Sequence, residues 1–273
     1  MKLGVLTYEG IDERIAIAKS LGVTGIGLKN EDYLEGDVSK AIDKAAAAGL
    51  DFAQVTGWDF NPLRPTSEGE AVVKSAIAAA ARIDSRPSVI FGAGGYHEEM
   101  PFFPHPDNWK PEALELAAKN IKPLAQIAED SGISLALEPH YAVVARDEIA
   151  IRALHDKIGS PAVGFDVDIV NMIKIGDFWQ TEVAIDRFLD SVGDICVAAH
   201  LKDLSIEDKL HLHLNECPAG QGNLNYPHFL KKLDETLSSE TYALVEHTPA
   251  EQLPETMQFV RDQAAAAGVT FNS

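Results

Sequence analysis

CVAAHLKD (residues 196–203) begins as an apolar run and ends in an imidazole, an ammonium and a carboxylate. The apolar run Ile195–Ala199 stops at His200, and Lys202 and Asp203 follow closely. A buried strand that ends in ligand-type and charged groups is typical of the carboxyl-terminal mouth of a (β/α)₈ barrel. His200 is therefore the first candidate site residue, and we expect other strands to bring partners to the same rim.

Short apolar runs alternate with helical patterns along the whole chain. The runs are nearly continuous, as expected of parallel strands that are covered on both faces, and the alternation predicts a parallel α/β sheet. We predict a single (β/α)₈ TIM barrel that spans residues 1–273 as one domain. A Gly-x-Gly-x-x-Gly motif does not follow the first strand, which disfavours a dinucleotide-binding fold. The predicted strands are 3–7, 23–28, 52–56, 88–91, 133–137, 162–165, 195–199 and 242–245.

Capping residues mark where several of the intervening helices begin. Asp12, Asp37 and Asp147 each stand just before or within the start of a helical pattern, which predicts that they are N-caps. Ser67 followed by Glu70 has the spacing of a capping box before an alanine-rich helix.

Composition restricts the function classes. The 273 residues are 46% hydrophobic, with 42 acidic and 23 basic side chains and a net charge of -19. Nucleic-acid binding usually requires a basic patch, so we expect no nucleic-acid partner. We also expect no membrane span and no signal peptide, and therefore a cytoplasmic protein. Cys196 and Cys217 are too few for a disulfide framework.

Ligand-type side chains stand at the ends of four consecutive predicted strands. Glu138 ends the fifth, Asp166 and Asp168 follow the sixth, His200 ends the seventh and Glu246 ends the eighth. Solvated rim charges are the alternative interpretation, but four in a row favour a metal site, since buried charges must be paired or bind metal. Three oxygen ligands and one nitrogen suit one divalent cation, Mn²⁺, Mg²⁺ or Co²⁺.

Five motifs resemble those of the sugar phosphate isomerase/epimerase superfamily, the xylose isomerase-like TIM barrels, which are related to the ketose 3-epimerases. The motifs are ALEPH (136–140), FDVDIVNMIKIGD (165–177), HLKD (200–203), PAGQGNLNYPHFL (218–230) and VEH (245–247). The resemblance covers most of the chain but does not specify one substrate. It implies that one divalent cation is held by Glu138, Asp168, His200 and Glu246, with both glutamates also serving as acid/base groups.

The sequence departs from the family pattern at one position. The family often has Asp-x-x-His on the sixth strand, where the histidine contacts substrate. Here that spacing from Asp168 leads to Asn171, and the spacing to Gly176 favours Asp168 over Asp166 as the ligand. Asn171 can donate and accept hydrogen bonds but cannot titrate.

This ligand set predicts proton-transfer chemistry on a hydroxy-ketone. A divalent cation polarises the carbonyl, acidifies the neighbouring C–H and stabilises an enediolate. Glu138 and Glu246 are then the candidates to remove the proton and return it on the other face. Lys202 would stabilise a developing oxyanion or, alternatively, would pair with Asp203.

Further candidates lie close to these residues. Asn171, Lys202, His140 and Trp58 are the predicted substrate-binding residues, although His140 could instead be structural and Trp58 could pack in a subunit interface. The backbone of Gly220–Gly222 could approach a phosphate, but few arginines stand near strand ends, so a neutral sugar is at least as well supported. Family members are often oligomers, which implies a homodimer or homotetramer.

Four functions remain open at this point. The leading one is a metal-dependent isomerase or epimerase of a sugar or sugar-like hydroxy-ketone. A metal-dependent lyase or dehydratase, acting on a polyol or keto-glycoside, is the alternative on the same barrel. An abasic-site endonuclease needs more histidines and a less acidic chain, and a non-catalytic sugar-binding protein is suggested by Asn171.

Overall fold

A computed structural model describes residues 1–272 and shows a closed barrel of eight parallel strands. The predicted TIM barrel is therefore confirmed. The strands are β1 (Lys2–Val5), β2 (Gly25–Leu28), β3 (Asp51–Thr56), β4 (Ser88–Gly92), β5 (Leu135–Glu138), β6 (Val163–Val167), β7 (Cys196–Leu201), β8 (Asp203–Ile206), β9 (Leu214–Cys217) and β10 (Tyr242–Val245). The order around the barrel is β1-β10-β7-β6-β5-β4-β3-β2, and β8 and β9 pair with each other outside the barrel.

Helices connect successive strands and cover the outside of the barrel. They are α1 (Ile11–Leu21), α2 (Asn30–Leu34), α3 (Val38–Ala47), α4 (Ser67–Ala80), α5 (Pro111–Ser131), α6 (Glu148–Ile158), α7 (Thr181–Val192), α8 (Tyr226–Thr236) and α9 (Leu253–Ala267). Within residues 1–272, no helix combines the length and the apolar character needed to cross a membrane.

The helix caps were predicted with mixed success. The Asp37 carboxylate accepts from the backbone N–H groups of residues 39 and 40, and Asp147 accepts from that of residue 150, so both predicted caps are confirmed. The Ser67 capping box is wrong, because Thr66 is the N-cap of α4 and accepts from the backbone of residue 69. Asp12 is not a cap either, since α1 begins one residue earlier, after Gly10.

Strand register brings the predicted site residues to one rim. In the pairing of β6 with β7, Asp166 lies opposite Ala198 and Val167 lies opposite Ala199. In the pairing of β10 with β7, Leu244 lies opposite His200. The carboxyl ends of these neighbouring strands therefore lie at similar heights, and the side chains that end them can meet.

The β8–β9 hairpin was not predicted. It is antiparallel, with residue 203 opposite residue 217 and residue 206 opposite residue 214. The apolar residues Leu204, Ile206, Leu212 and Leu214 alternate with polar ones around the turn, which is a recognisable hairpin signal. The hairpin extends from the end of β7 and brings Glu216 to the rim.

Candidate active site

A cavity of about 480 Å³ opens at the carboxyl ends of the barrel strands. Its wall includes six of the predicted site residues, and the side chains of Asp168 and His200 lie deeper, with 0% and 1% exposure. The predicted residues in the wall are Trp58, Glu138, His140, Asn171, Lys202 and Glu246.

Three predicted metal ligands converge. Each of Glu138, Asp168 and His200 offers one ligand atom, and these atoms all lie within 4.8 Å of one another. The three residues come from the ends of β5, β6 and β7, and all are buried. A cluster of two carboxylates and one imidazole at this spacing can hold a divalent cation.

Glu246 lies beside this cluster rather than within it. Its Oε2 atom is 3.2 Å from Nδ1 of His200, and its Oε1 atom is 2.9 Å from Nζ of Lys202. The side chain is 4% exposed. The assignment of Glu246 as the fourth metal ligand stays a prediction.

Lys202 is the buried positive charge of the site, with 2% exposure. Its Nζ lies 2.7 Å from Asp168 Oδ2, 2.8 Å from Glu216 Oε2 and 2.9 Å from Glu246 Oε1. Burial alone would lower the pKa of Lys202, but the surrounding carboxylates, led by Asp168, raise it above its ordinary value. Lys202 is therefore a charged ammonium that faces three acids.

The alternative pairing of Lys202 with Asp203 is wrong. The Asp203 carboxylate instead accepts hydrogen bonds from the backbone N–H groups of Leu204, Gly220 and Leu224 at 2.8–3.1 Å. Asp203 thus organises the loop after β9, and it occupies the backbone donor of Gly220 that would otherwise approach a phosphate.

The side chain of Asn171 forms a hydrogen bond with the carboxylate of Glu138. The Asn171 side-chain amide donates a 2.8 Å hydrogen bond to Oε1 of Glu138, and Asn171 is 8% exposed. Burial, followed by the negative charges of Glu246 and Asp168, raises the pKa of Glu138 well above its ordinary value. The residue at the family's histidine position therefore contacts a predicted metal ligand directly.

The profile of the xylose isomerase-like TIM barrel family matches residues 15–263. The chain belongs to this family. A search of curated proteins finds no match to the sequence.

Solved structures share the fold of this xylose isomerase-like TIM barrel at low sequence identity. The probable 3-DHS dehydratase of Bacillus anthracis involved in petrobactin synthesis has a TM-score of 0.74 and 13% identity, and the match covers 96% of this chain and 99% of that one. The 3-keto-D-glucoside 4-epimerase of E. coli has a TM-score of 0.72 and 16% identity over 96% and 99% of the two chains. An L-ribulose 3-epimerase has a TM-score of 0.69 and 14% identity over 98% and 93%.

Buried polar atoms without partners show that this xylose isomerase-like site suits a cation. Among the residues that the structure describes, no hydrogen bond reaches His200 Nδ1 or either carboxylate oxygen of Asp166. All these atoms can accept, and uncompensated burial of such groups is costly. A divalent cation would compensate the buried negative charge, so the donor set fits the predicted cofactor.

The sequence did not reveal Gln54, one of two further residues that contact the His200 ring, and it disfavoured the other, Asp166. Gln54 on β3 is 1% exposed, and its Oε1 atom lies 2.9 Å from Nε2 of His200. Asp166, which the sequence analysis set aside in favour of Asp168, is fully buried with Oδ2 3.1 Å from Nδ1 of His200. The sequence signal that could have identified Gln54 is that it is a polar residue within the otherwise apolar predicted strand 52–56.

Glu216 is a further residue that the sequence did not reveal. The β8–β9 hairpin places it between Lys202 and His247, with its Oε1 atom 2.7 Å from Nδ1 of His247. This hydrogen bond is the main reason why the pKa of His247 rises to about 9. His247 is therefore positively charged at neutral pH, and the three residues form a chain of alternating charge from the interior to the rim.

His140 and Trp58 lie on the apolar side of the cavity. The ring of His140 packs edge-on against Phe102 with ring centres 5.9 Å apart, and the ring of Trp58 packs edge-on against the same Phe102 at 6.1 Å. Nδ1 of His140 accepts a 3.0 Å hydrogen bond from the backbone N–H of Ala142. Burial lowers the pKa of His140 to about 4, so this imidazole is neutral at physiological pH.

Proposed function

We propose that this protein is a divalent-metal-dependent isomerase or epimerase of a sugar or sugar-like hydroxy-ketone. The observation that supports it most is the buried cluster of Glu138, Asp168 and His200 at the floor of a cavity, with Glu246 in contact with the same imidazole. Membership of the family supports an enzyme of this broad kind.

Glu138, Asp168 and His200 would hold the cation, with Glu246 as the proposed fourth ligand. The cation, when bound, supplies polarisation of the substrate carbonyl and so acidifies the neighbouring C–H. Glu138 ends β5 and Glu246 directly follows β10, and both side chains are buried. Carboxylate oxygens of these residues would remove the proton and return it, and their roles would exchange when the reaction runs in reverse.

The positive charge of Lys202 is present in the site whether or not the cation is bound. Its ammonium is held by Asp168, Glu216 and Glu246, so its position is fixed before substrate enters. A preorganised positive charge stabilises a developing oxyanion without reorganisation during the reaction. Asn171 fixes one oxygen of Glu138 and leaves the other available for the cation or the substrate.

The substrate is proposed to be uncharged. Each lysine in the described cavity wall already has acidic partners, since Lys29 pairs with Glu31 and Lys202 pairs with Asp168, Glu216 and Glu246. A phosphate or carboxylate on the substrate would meet the negative field of these acids without a free cation to bind it.

A metal-dependent dehydratase or other lyase is the second candidate. The observation that favours it is the buried Lys202 ammonium beside Glu246, because a fixed positive charge stabilises the negative charge that develops on a departing oxygen after the C–H bond has been broken. Both reactions begin with the same proton abstraction, so they are distinguished by analysis of their products.

The test incubates the Mn²⁺-loaded protein in D₂O with a panel of neutral ketoses, keto-glycosides and polyols. We expect deuterium at the carbon next to the carbonyl and formation of an epimer or isomer, and we expect EDTA and the Glu246→Gln variant to abolish both. Loss of water or of an aglycone, seen by mass spectrometry, would establish the lyase instead. Turnover that survives EDTA and metal-free dialysis would refute the metal-dependent proposal.

A further inference from the structure

The imidazole of His200 has neighbours at both ring nitrogens. A neutral imidazole carries its proton on one nitrogen, and only the other nitrogen has a lone pair that can bind a cation. The ring is 1% exposed, and a divalent cation binds the neutral imidazole, so the neutral form is the one that matters for metal binding. The neighbours of the ring therefore decide which nitrogen faces a metal as a ligand.

Gln54 makes the better-defined contact. Its Oε1 atom lies 2.9 Å from Nε2 of His200, in line with a hydrogen on that nitrogen. An amide oxygen can only accept a hydrogen bond, so this contact requires the proton to stand on Nε2. Gln54 lies on β3 and is itself 1% exposed, so the contact is shielded from water.

The contacts at Nδ1 are different in kind. Asp166 Oδ2 lies 3.1 Å from Nδ1 and Glu246 Oε2 lies 3.2 Å from it. Within the described residues, neither oxygen forms a hydrogen bond with Nδ1. Carboxylates also accept rather than donate when ionised, so they do not satisfy a lone pair on Nδ1. Nδ1 is thus the nitrogen that faces the acidic side of the site.

We propose that Gln54 is a positioning residue that holds His200 as the Nε2–H tautomer and thereby makes Nδ1 the nitrogen that binds the cation. The inference rests on the metal site of the proposed function. A neutral acceptor is suited to this role because it orients the ring without adding a negative charge beside Asp166 and Glu246. Hydrogen-bond partners of metal-binding histidines generally fix the tautomer and the ring orientation in this way.

The orientation of the Gln54 amide is the point on which the proposal depends. Nε2 of Gln54 is buried and has no hydrogen-bond partner within residues 1–272. If the amide were turned over, its NH₂ group would donate to the ring, and the proton of His200 would move to Nδ1, facing Asp166 and Glu246. The two orientations therefore predict opposite tautomers, which can be told apart by experiment.

The decisive measurement is the long-range ¹H–¹⁵N correlation spectrum of ¹⁵N-histidine-labelled protein without metal. The spectrum of the His200→Asn variant identifies the His200 signals by their loss. We expect a protonated Nε2 and an unprotonated Nδ1 in the wild-type protein, and a shift of Nδ1 alone when Mg²⁺ is added. An Nδ1–H tautomer in the metal-free wild type would overturn the proposal.

Two substitutions distinguish the effect of the hydrogen-bond acceptor of Gln54 from the effect of its side-chain shape. Gln54→Leu removes the acceptor, and we expect the tautomer to become mixed or reversed and the Mn²⁺ affinity to fall about 10- to 100-fold. Gln54→Glu keeps an acceptor, and we expect the Nε2–H tautomer and at least wild-type Mn²⁺ affinity. An unchanged tautomer and Mn²⁺ affinity in Gln54→Leu would refute the positioning role.

The outcomes also separate this inference from the proposed function. If wild-type protein binds no Mn²⁺, the metal-dependent function fails, but the tautomer of the metal-free protein and its response to Gln54→Glu still test Gln54. If Gln54→Leu does not fold, as judged by circular dichroism, the comparison of the wild type with Gln54→Glu decides: loss of Nε2–H in Gln54→Glu would overturn the role.

Discussion

The ammonium of Lys202 lies 2.7 Å from Oδ2 of Asp168, so one expected metal ligand already has a positive charge at its side. The same ammonium lies 2.9 Å from Glu246 Oε1. A cation that binds at Asp168 must therefore tolerate a second positive charge nearby. Two unit charges about 4 Å apart interact by about 4 kcal/mol at an effective dielectric constant of 20, so this repulsion is large enough to measure.

We therefore predict that Lys202→Met binds Mn²⁺ at least about 10-fold more tightly than the wild type, because the repulsion is removed. Turnover should fall at the same time, because the preorganised charge for the oxyanion is lost. Titration calorimetry gives the affinity, and the deuterium-exchange assay gives the turnover.

Lys232→Met is the matched control for this substitution. Lys232 forms ion pairs with Asp186 and Asp190 on the surface, at 3.5 and 2.6 Å. The Lys232→Met substitution should change neither Mn²⁺ affinity nor turnover. Weaker Mn²⁺ binding in Lys202→Met would show that the ammonium supports the metal site, contrary to the prediction.

The hydrogen bond from Asn171 to Glu138 leads to a second prediction. Asn171→Leu leaves the buried carboxylate of Glu138 without its donor, which should lower the free energy of unfolding by about 1–3 kcal/mol and reduce turnover. Asn171→His retains a donor and should retain more activity than Asn171→Leu. Urea denaturation with EDTA present and the turnover assay provide the two readouts.

Asn120→Leu distinguishes general destabilisation from an effect on the site. The Asn120 amide donates a 2.8 Å hydrogen bond to the backbone carbonyl of Pro62, outside the cavity wall. This variant should lose stability but keep turnover. If Asn171→Leu keeps full activity, then the contact with Glu138 has no catalytic importance.

The fold could be predicted because parallel strands that are covered on both faces leave a strong signal in the sequence. The runs that end at Glu138, His200 and Glu246 become β5, β7 and β10, and the barrel geometry alone requires that these ends share a rim. Each of these positions is the end of a local pattern, so local reasoning was sufficient to find it.

Residues whose role depends on distant contacts could not be predicted in the same way. Gln54 meets His200 across 146 positions of sequence, and no local pattern connects them. The sixth strand continues to Val167 and does not end at residue 165 as predicted, so Asp166 lies within the strand and not after it. The alternative pairing of Lys202 with its neighbour Asp203 was wrong because backbone donors of a later loop engage the Asp203 carboxylate.

Glu216 provides the third prediction, which concerns the titration of His247. The hydrogen bond that His247 Nδ1 donates to Glu216 is the main cause that raises the pKa of His247 to about 9, so Glu216→Ala should lower that pKa toward its ordinary value of about 6.5. NMR titration of the imidazole provides the measurement. Because the folded-state pKa is raised, the stabilisation by this pair is complete below about pH 6.5 and is lost as the pH rises through about 9.

The control for Glu216→Ala lies on the same hairpin. Glu207 accepts a hydrogen bond from Asn215 and pairs with Lys209, away from His247. Glu207→Ala should leave the titration of His247 unchanged. If the pKa of His247 stays near 9 in Glu216→Ala, then its cause is not the hydrogen bond across the hairpin.

The partly buried imidazole of His140 leads to the last prediction, which concerns stability in mild acid. Burial lowers its pKa to about 4 in the folded protein, while the unfolded chain binds a proton near pH 6.5. Between these values the unfolded state holds more protons, so the free energy of unfolding must rise with pH across this window and level off above it. Full loss of this contribution, below about pH 4, would amount to at most about 3 kcal/mol.

His140→Asn tests this linkage with little change in structure. The asparagine Oδ1 can replace Nδ1 as the acceptor for the backbone N–H two residues later, as in an Asx turn, but it does not titrate. We therefore expect a flatter dependence of unfolding free energy on pH from 4 to 6.5, measured by urea denaturation in EDTA. His213→Asn, at an exposed position in the hairpin turn, should retain the wild-type slope. An equal slope in His140→Asn and the wild type would mean that other groups cause the acid sensitivity.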